Sequence, residues 1–222
     1  MHAAMGPQDR VYLAGALVSL GELDRAAELA ETLGEAERDA KVDLFKRMIE
    51  RTLTRANRNE TRAMGLLAGL AEIPGIDANV KLWAITHQME LLVDGDDADE
   101  AITRGVRALV GIDESRAERD SLAGAFVGLA KAYLKVHDLE RCTAQLDHAA
   151  GLVGAEHALT PTITLLRAEI DRSGTTEQLS EARERYSVVI TRFPYSDDVP
   201  RALLGLAEIN AKLSQERPEL AK

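Results

Sequence analysis

Small side chains return along the chain at a nearly fixed interval. Ala26, Ala63, Ala101, Cys142 and Ala182 are separated by 37, 38, 41 and 40 residues, each early in a segment whose apolar residues repeat at three and four. That spacing is helical, because positions three and four apart share one face of an α-helix. A small residue at the same point of every segment marks where two helices cross closely, since a larger side chain there would force the backbones apart. An interval near 40 residues is the size of one helix–turn–helix unit in a repeat array. The chain is thereby confined to a stack of helical hairpins.

Composition agrees with helices rather than sheets. Hydrophobic residues make up 45% of the chain and aromatics only 4%, an Ala- and Leu-weighted content with few β-branched runs. The expected class is all-α: a right-handed α-solenoid of about five hairpins plus a closing helix. It should fill residues 1–213 as a single domain, with a polar, frayed tail over 214–222. Pro7 suits a first helical turn, and the stripe from Val11 to Leu20 stops at Gly21. Leu23–Leu33 follows, with Gly34 read as a left-handed C-cap. The second pair is Ala36–Ala56 and Asn59–Glu72, and the third starts at Ala78–Val93, turns through Asp94–Glu100 and continues past Ala101 to Leu109. Ser115–Val136 and Leu139–Val153 make the fourth. Thr160 is placed as N-cap before Pro161 at the start of the fifth, whose second helix begins near Gln178 and stops at Phe193-Pro194. Val199–Leu213 closes the array.

These residues resemble the tetratricopeptide-repeat family. Its pattern is matched in the first copy by Leu13-Ala14, Leu17, Gly21-Glu22-Leu23, Ala26 and Ala30, and in the fourth by Phe126, Leu129-Ala130, Tyr133, Asp138-Leu139, Cys142 and Ala149. Leu179, Ala182, Tyr186, Val189 and Pro194 match in the fifth. The copies are longer than the family's usual 34 residues, His137 stands where the family has Gly, and the second and third copies match less well. Phe193–Glu208 is also similar to the repeats of bacterial envelope members, such as the lipoprotein of the β-barrel assembly machinery and the coordinator of the Tol-Pal system.

The resemblance implies a non-catalytic protein–protein interaction scaffold without a cofactor, holding a partner peptide or helix in a concave groove built largely from the first helices. The family's groove positions fall on Val11, Gly15 and Val18, on Phe45 and Met48, and on Trp83 and Glu90. In the fourth copy they are Val127, Lys131, Leu134 and Lys135, and in the closing helix Arg201, Leu204, Glu208 and Lys212. Large aromatics are buried on average, so Trp83 and Phe45 carry a core reading beside the groove one. The family's clamp for acidic C-terminal tails uses a Lys and an Asn where this chain has Val11 and Gly15, so that clamp is not expected. A homo-oligomeric element whose terminal helices stack on another copy is a second reading. A ligand-binding or enzymatic domain on the same scaffold is a third.

Charge and chemistry narrow the partners. Lys and Arg number 27 against 37 Asp and Glu, a net charge of −10, which repels nucleic acid and anionic lipid. No window approaches the roughly 18 apolar residues of a membrane helix, and the first residues lack the pattern of an export signal. The expectation is a soluble chain without membrane insertion, cytoplasmic as it stands and periplasmic if a leader has been removed. A lone Cys142 forms no disulfide within the chain, and its repeat position predicts burial rather than nucleophilic use. Asp147-His148 and Glu156-His157 lack the spacing of a helical metal motif. Ala98 breaks the alternate ligands of a calcium loop in Asp94–Glu100, leaving a solvated turn whose carboxylates cap and charge-complement the next helix. Arg38–Arg62 is locally basic but interleaved with acids. Its first reading is a salt-bridged face, and its second a docking stripe for an acidic partner.

Overall fold

The computed structural model describes residues 5–54 and 58–216. Among the described residues the chain is all-α, with eleven α-helices, two 3₁₀ turns and no strand. It divides into two compact units, Met1–Leu91 and Leu92–Lys222.

The first unit holds α1 (Pro7–Leu20), α2 (Leu23–Glu31), α3 (Arg38–Leu53), α4 (Glu60–Ala71) and α5 (Ala78–Asp94) as far as Leu91. α1 packs on α2 and α3 on α4, with α3 also touching the first pair. Their core gathers Ala14, Leu17, Leu44, Met48, Ile49 and Leu67. The second unit holds α6 (Ala98–Val110), α7 (Arg119–Lys135), α8 (Leu139–Leu152), α9 (Thr160–Asp171), α10 (Thr176–Arg192) and α11 (Val199–Glu216). Here α7 packs on α6 and α8, α9 on α8 and α10, and α10 on α11.

Burial follows the interval seen in the sequence. Ala26, Ala63, Ala101, Cys142 and Ala182 all have no exposed surface. Four residues on, Ala30, Leu67, Gly105, Leu146 and Tyr186 are buried, and seven on, so are Leu33, Leu70, Ala108, Ala149 and Val189. One face of α4, α6, α8 and α10, defined by the offsets 0, +4 and +7, therefore lies inside, and in the first copy Leu33 follows two residues past the end of α2.

The turns repeat as well. Gly21 (φ 83°), Asp96 (φ 64°) and His137 (φ 63°) are left-handed, and each stands five residues before the small residue of its copy. Each turn closes with the same two bonds. Gly21 N–H donates to Val18 O and Glu22 N–H to Leu17 O; Asp96 donates to Val93 and Asp97 to Leu92; His137 donates to Leu134 and Asp138 to Tyr133. Paired bonds spanning three and five residues around a left-handed residue form a Schellman stop. His137 thus takes the left-handed backbone conformation that Gly21 takes in the first copy, at the cost that a Cβ brings in that region.

Several expected boundaries shift. Gly34 is extended (φ −85°, ψ −172°) and starts a 3₁₀ turn at Glu35–Glu37, so α2 ends at Glu31 with Thr32 as a right-handed C-cap. Thr160 is the first residue of α9, with Leu159 in the cap position, and its hydroxyl donates to Gly154 O at 3.0 Å. α7 begins at Arg119, after a 3₁₀ turn at Glu114–Arg116. The C-terminal part of Ala36–Ala56 lies outside the described residues beyond Thr54. α11 runs to Glu216, so 214–216 are helical rather than tail, and 217–222 lie outside the described residues.

Candidate functional site

The residues expected to face a groove separate into core and surface sets. Val18, Phe45 and Met48 are buried in the first unit's core, and Val11 packs on its edge. The Phe45 ring lies against Gly69, where an added Cβ would sit 3.1 Å from it. Trp83 is half-buried, with Lys46 Nζ 5.3 Å from its ring and the His87 ring 4.3 Å away. Glu90 and Gly15 are half-buried. In the second unit Val127 is buried, whereas Lys135, Arg201, Leu204, Glu208 and Lys212 are exposed and Lys131 and Leu134 half-exposed.

Lys131, Leu134, Lys135 and Arg201 come together. They line a cleft of about 570 Å³ with Leu166, Glu169 and Arg172 from α9 and Val93 and Asp94 from the end of α5. The geometry follows from helical spacing: Lys131 and Lys135 are one turn apart on α7, and Leu166 and Glu169 on α9 are followed at the same interval of three by Arg172, the helix's C-cap. Arg201 projects from the first turn of α11.

Glu169 organises the basic side of the cleft. The residue is only 8% exposed, and a buried charge persists only where it is paired. Arg172 Nη2 lies 3.2 Å from Oε2 and Arg201 Nε 3.4 Å from Oε1. Arg172 also reaches Glu208 through Nη1 at 2.8 Å, and Lys212 Nζ donates to the Arg172 carbonyl at 3.3 Å. Glu208 and Lys212 thus flank the cleft by holding one of its arginines. On the opposite wall Lys135 Nζ pairs with Asp96 Oδ1 at 2.6 Å, and that hydrogen bond holds the exposed Asp96 carboxyl below its ordinary pKa.

Beneath this network the Tyr186 hydroxyl is buried and meets no partner in hydrogen-bonding geometry among the described residues. Burial raises its pKa, and the nearby Glu169 carboxylate raises it further, while Arg172 and Arg201 act in the opposite sense. The sequence marks Tyr186 as a repeat residue and carries no sign that Glu169 or Arg172 belongs to a site. The signal that could have found them is a Glu and an Arg three apart on the otherwise apolar face of a first helix.

The remaining candidates resolve as structure. Cys142 is fully buried and its thiol is pushed up to about 11, by burial first and by the Asp138 carboxylate second. Nucleophilic use needs the opposite shift. His148 stacks on Phe126, their ring centres 5.3 Å apart, while His157 Nδ1 accepts from Leu159 N–H and its Nε2 lies 3.2 Å from Asp120 Oδ2. Among the described residues no group of three or more His, Cys, Asp or Glu is placed to hold a metal ion.

In the acidic turn, Asp97 takes the cap position of α6 without a side-chain capping bond, contrary to the capping half of the expectation, while Asp99 and Glu100 stand in the first turn, where the helix dipole favours negative charge. The φ of −106° and ψ of 57° at Asp97 depart from the extended cap geometry. Glu100 instead bonds Arg104 at 2.7 Å. The basic segment is laced with ion pairs: Arg47 to Asp43, Arg58 to Glu60 and Arg62 to Asp24. Among the described residues no helix is long and apolar enough to cross a membrane. No family model matches the sequence, and no curated protein matches it.

Proposed function

We propose that the chain is a tetratricopeptide-like α-solenoid that works as a protein–protein interaction scaffold, holding a partner peptide or helix in the cleft of its second unit without covalent chemistry. The observation that carries this reading is the convergence of Lys131, Leu134, Lys135 and Arg201, from two different first helices, on one cleft. Leu134 and Leu166 supply apolar wall, and the guanidinium and ammonium groups supply donors. Anchoring Arg172 and Arg201 on a buried carboxylate lowers the entropy lost when they bond a ligand. The cleft suits a segment that offers an apolar side chain between carboxylates or backbone carbonyls.

Capture from lysate by the native chain and by a Lys131→Glu/Lys135→Glu variant tests the reading, with Arg201 kept because it pairs with the buried Glu169. Lys135 is exposed and Lys131 partly exposed, so the fold should survive the change. The expected result is loss of specific partners from the variant, and identical partner lists would overturn the assignment.

A further inference from the structure

The cations of the cleft are held in two different ways. Arg201 is tied to Glu169, whose side chain is 7% exposed, and taking one partner from a buried pair leaves an uncompensated charge. That contact is fixed. Lys135 and Arg172 also reach carboxylates outside the cleft: Lys135 Nζ lies 2.6 Å from Asp96 Oδ1, and Arg172 Nη1 2.8 Å from Glu208 Oε2. Neither Asp96 nor Glu208 is among the lining residues. Their side chains are 80% and 44% exposed, and pairs in contact with water exchange partners at little cost. Arg172 keeps Glu169 through Nη2 when Nη1 changes partner.

Charge identifies the ligand that would make the exchange. The lining carries Lys131, Lys135, Arg172 and Arg201 against Asp94 and Glu169, a local excess of positive charge in a chain of net charge −10. Such a patch complements an acidic ligand. Leu134 and Leu166 add apolar lining that a polyphosphate backbone does not use, and the charge of the whole chain repels such a polyanion. An acidic, partly apolar peptide segment uses both features. We propose that Asp96 and Glu208 are built-in competitors for the partner of this cleft. Each must give up a cation to a carboxylate of the incoming segment, so the cleft selects a segment with two carboxylates around an apolar side chain over one with a single carboxylate. The inference rests on the scaffold reading and adds to it the partner's acidity and the two residues that set it.

The probe is a random dodecapeptide library displayed on phage and panned on the full chain, followed by fluorescence anisotropy with the best selected peptide. Selected peptides should carry two or more Asp or Glu around an apolar residue, and Lys131→Glu/Lys135→Glu should weaken their binding about tenfold or more. Asp96→Asn and Glu208→Gln should each tighten it about two- to fivefold, the scale of one exposed ion pair. Replacing one peptide carboxylate by its amide should cancel the gain of one variant and not of the other. Asparagine tolerates the left-handed backbone at position 96 (φ 64°), and native urea midpoints check that both variants fold. Asp97→Asn removes the same charge one residue away and should leave affinity near the native value. Peptides that depend on Lys131 and Lys135 but lack two carboxylates overturn the inference and leave the scaffold reading standing. So does a native affinity in either Asp96→Asn or Glu208→Gln, or an equal gain from Asp97→Asn, which would reduce the effect to net charge. If no selected peptide depends on Lys131 and Lys135, the scaffold reading fails and the inference falls with it.

Discussion

α7 and α11 carry the same Gly-Leu-Ala phrase, at 128–130 and 205–207, and end in different surroundings. Ala130 has no exposed surface, and Ala207, in the equivalent place, is exposed. The helices do not differ in propensity at this point; they differ in whether a second helix follows within the described residues and folds back. A sequence pattern fixes which faces of a helix are fit to be covered, and the neighbours decide which of them are.

The sharpest way to break this comparison is to put the same charge in both places. Ala130→Glu buries an unpaired carboxylate and should cost about 3 to 5 kcal/mol or prevent folding, while Ala207→Glu should stay within about 0.5 kcal/mol. Urea denaturation of the two variants measures both, and equal losses would show that α11 is covered after all.

The α7–α8 pair also carries a titration that α11 lacks. Cys142, on the covering helix, has its thiol raised from 9.0 to about 11. Between those values the unfolded chain releases the proton and the folded chain keeps it, so stability is full below about pH 9 and falls as pH rises towards 11. The loss is on the order of 2 to 3 kcal/mol. Burial of Tyr186 pulls in the same direction at higher pH. Cys142→Ala should remove the first part of the decline, and a pH series of urea midpoints checks it.

On the covered face of α11, a Cβ at Gly205 would lie 2.4 Å from the Tyr186 ring. Gly205→Ala should therefore cost about 1 to 3 kcal/mol through overpacking, although it raises helix propensity. Calorimetry that shows a gain would mean Tyr186 is not held there. The smallest effect lies at the turn that folds α8 onto α7: His137→Gly relieves a left-handed non-glycine residue and should gain about 0.5 to 1 kcal/mol.

Much of this was legible in the sequence. The interval of the small residues located the buried face of every second helix, and Pro7 and Gly21 bounded α1 as expected. The failures have local causes. Gly34 follows a helix and so has the place of a left-handed cap, but the chain there leads into a 3₁₀ turn that an extended residue serves. His137, read as a departure from the repeat, keeps the glycine conformation, because the two Schellman bonds fix the backbone whatever the side chain. The cleft was legible in part. Lys131, Lys135 and Arg201 are surface residues on first helices, as the pattern allows, whereas Phe45 and Met48 joined a core that periodicity alone does not separate from a groove. Glu169 and Arg172 left no motif, since their role comes from facing Arg201 and Glu208 on a helix distant in sequence.

The measurement that bears most directly on the account is a leucine scan of the five recurring positions, Ala26, Ala63, Ala101, Cys142 and Ala182, read by urea unfolding. If each is a closely packed point of the repeat, every variant loses stability by a similar amount, about 1 to 3 kcal/mol. One or more that unfold at the native midpoint would contradict a common structural role and, with it, the repeat.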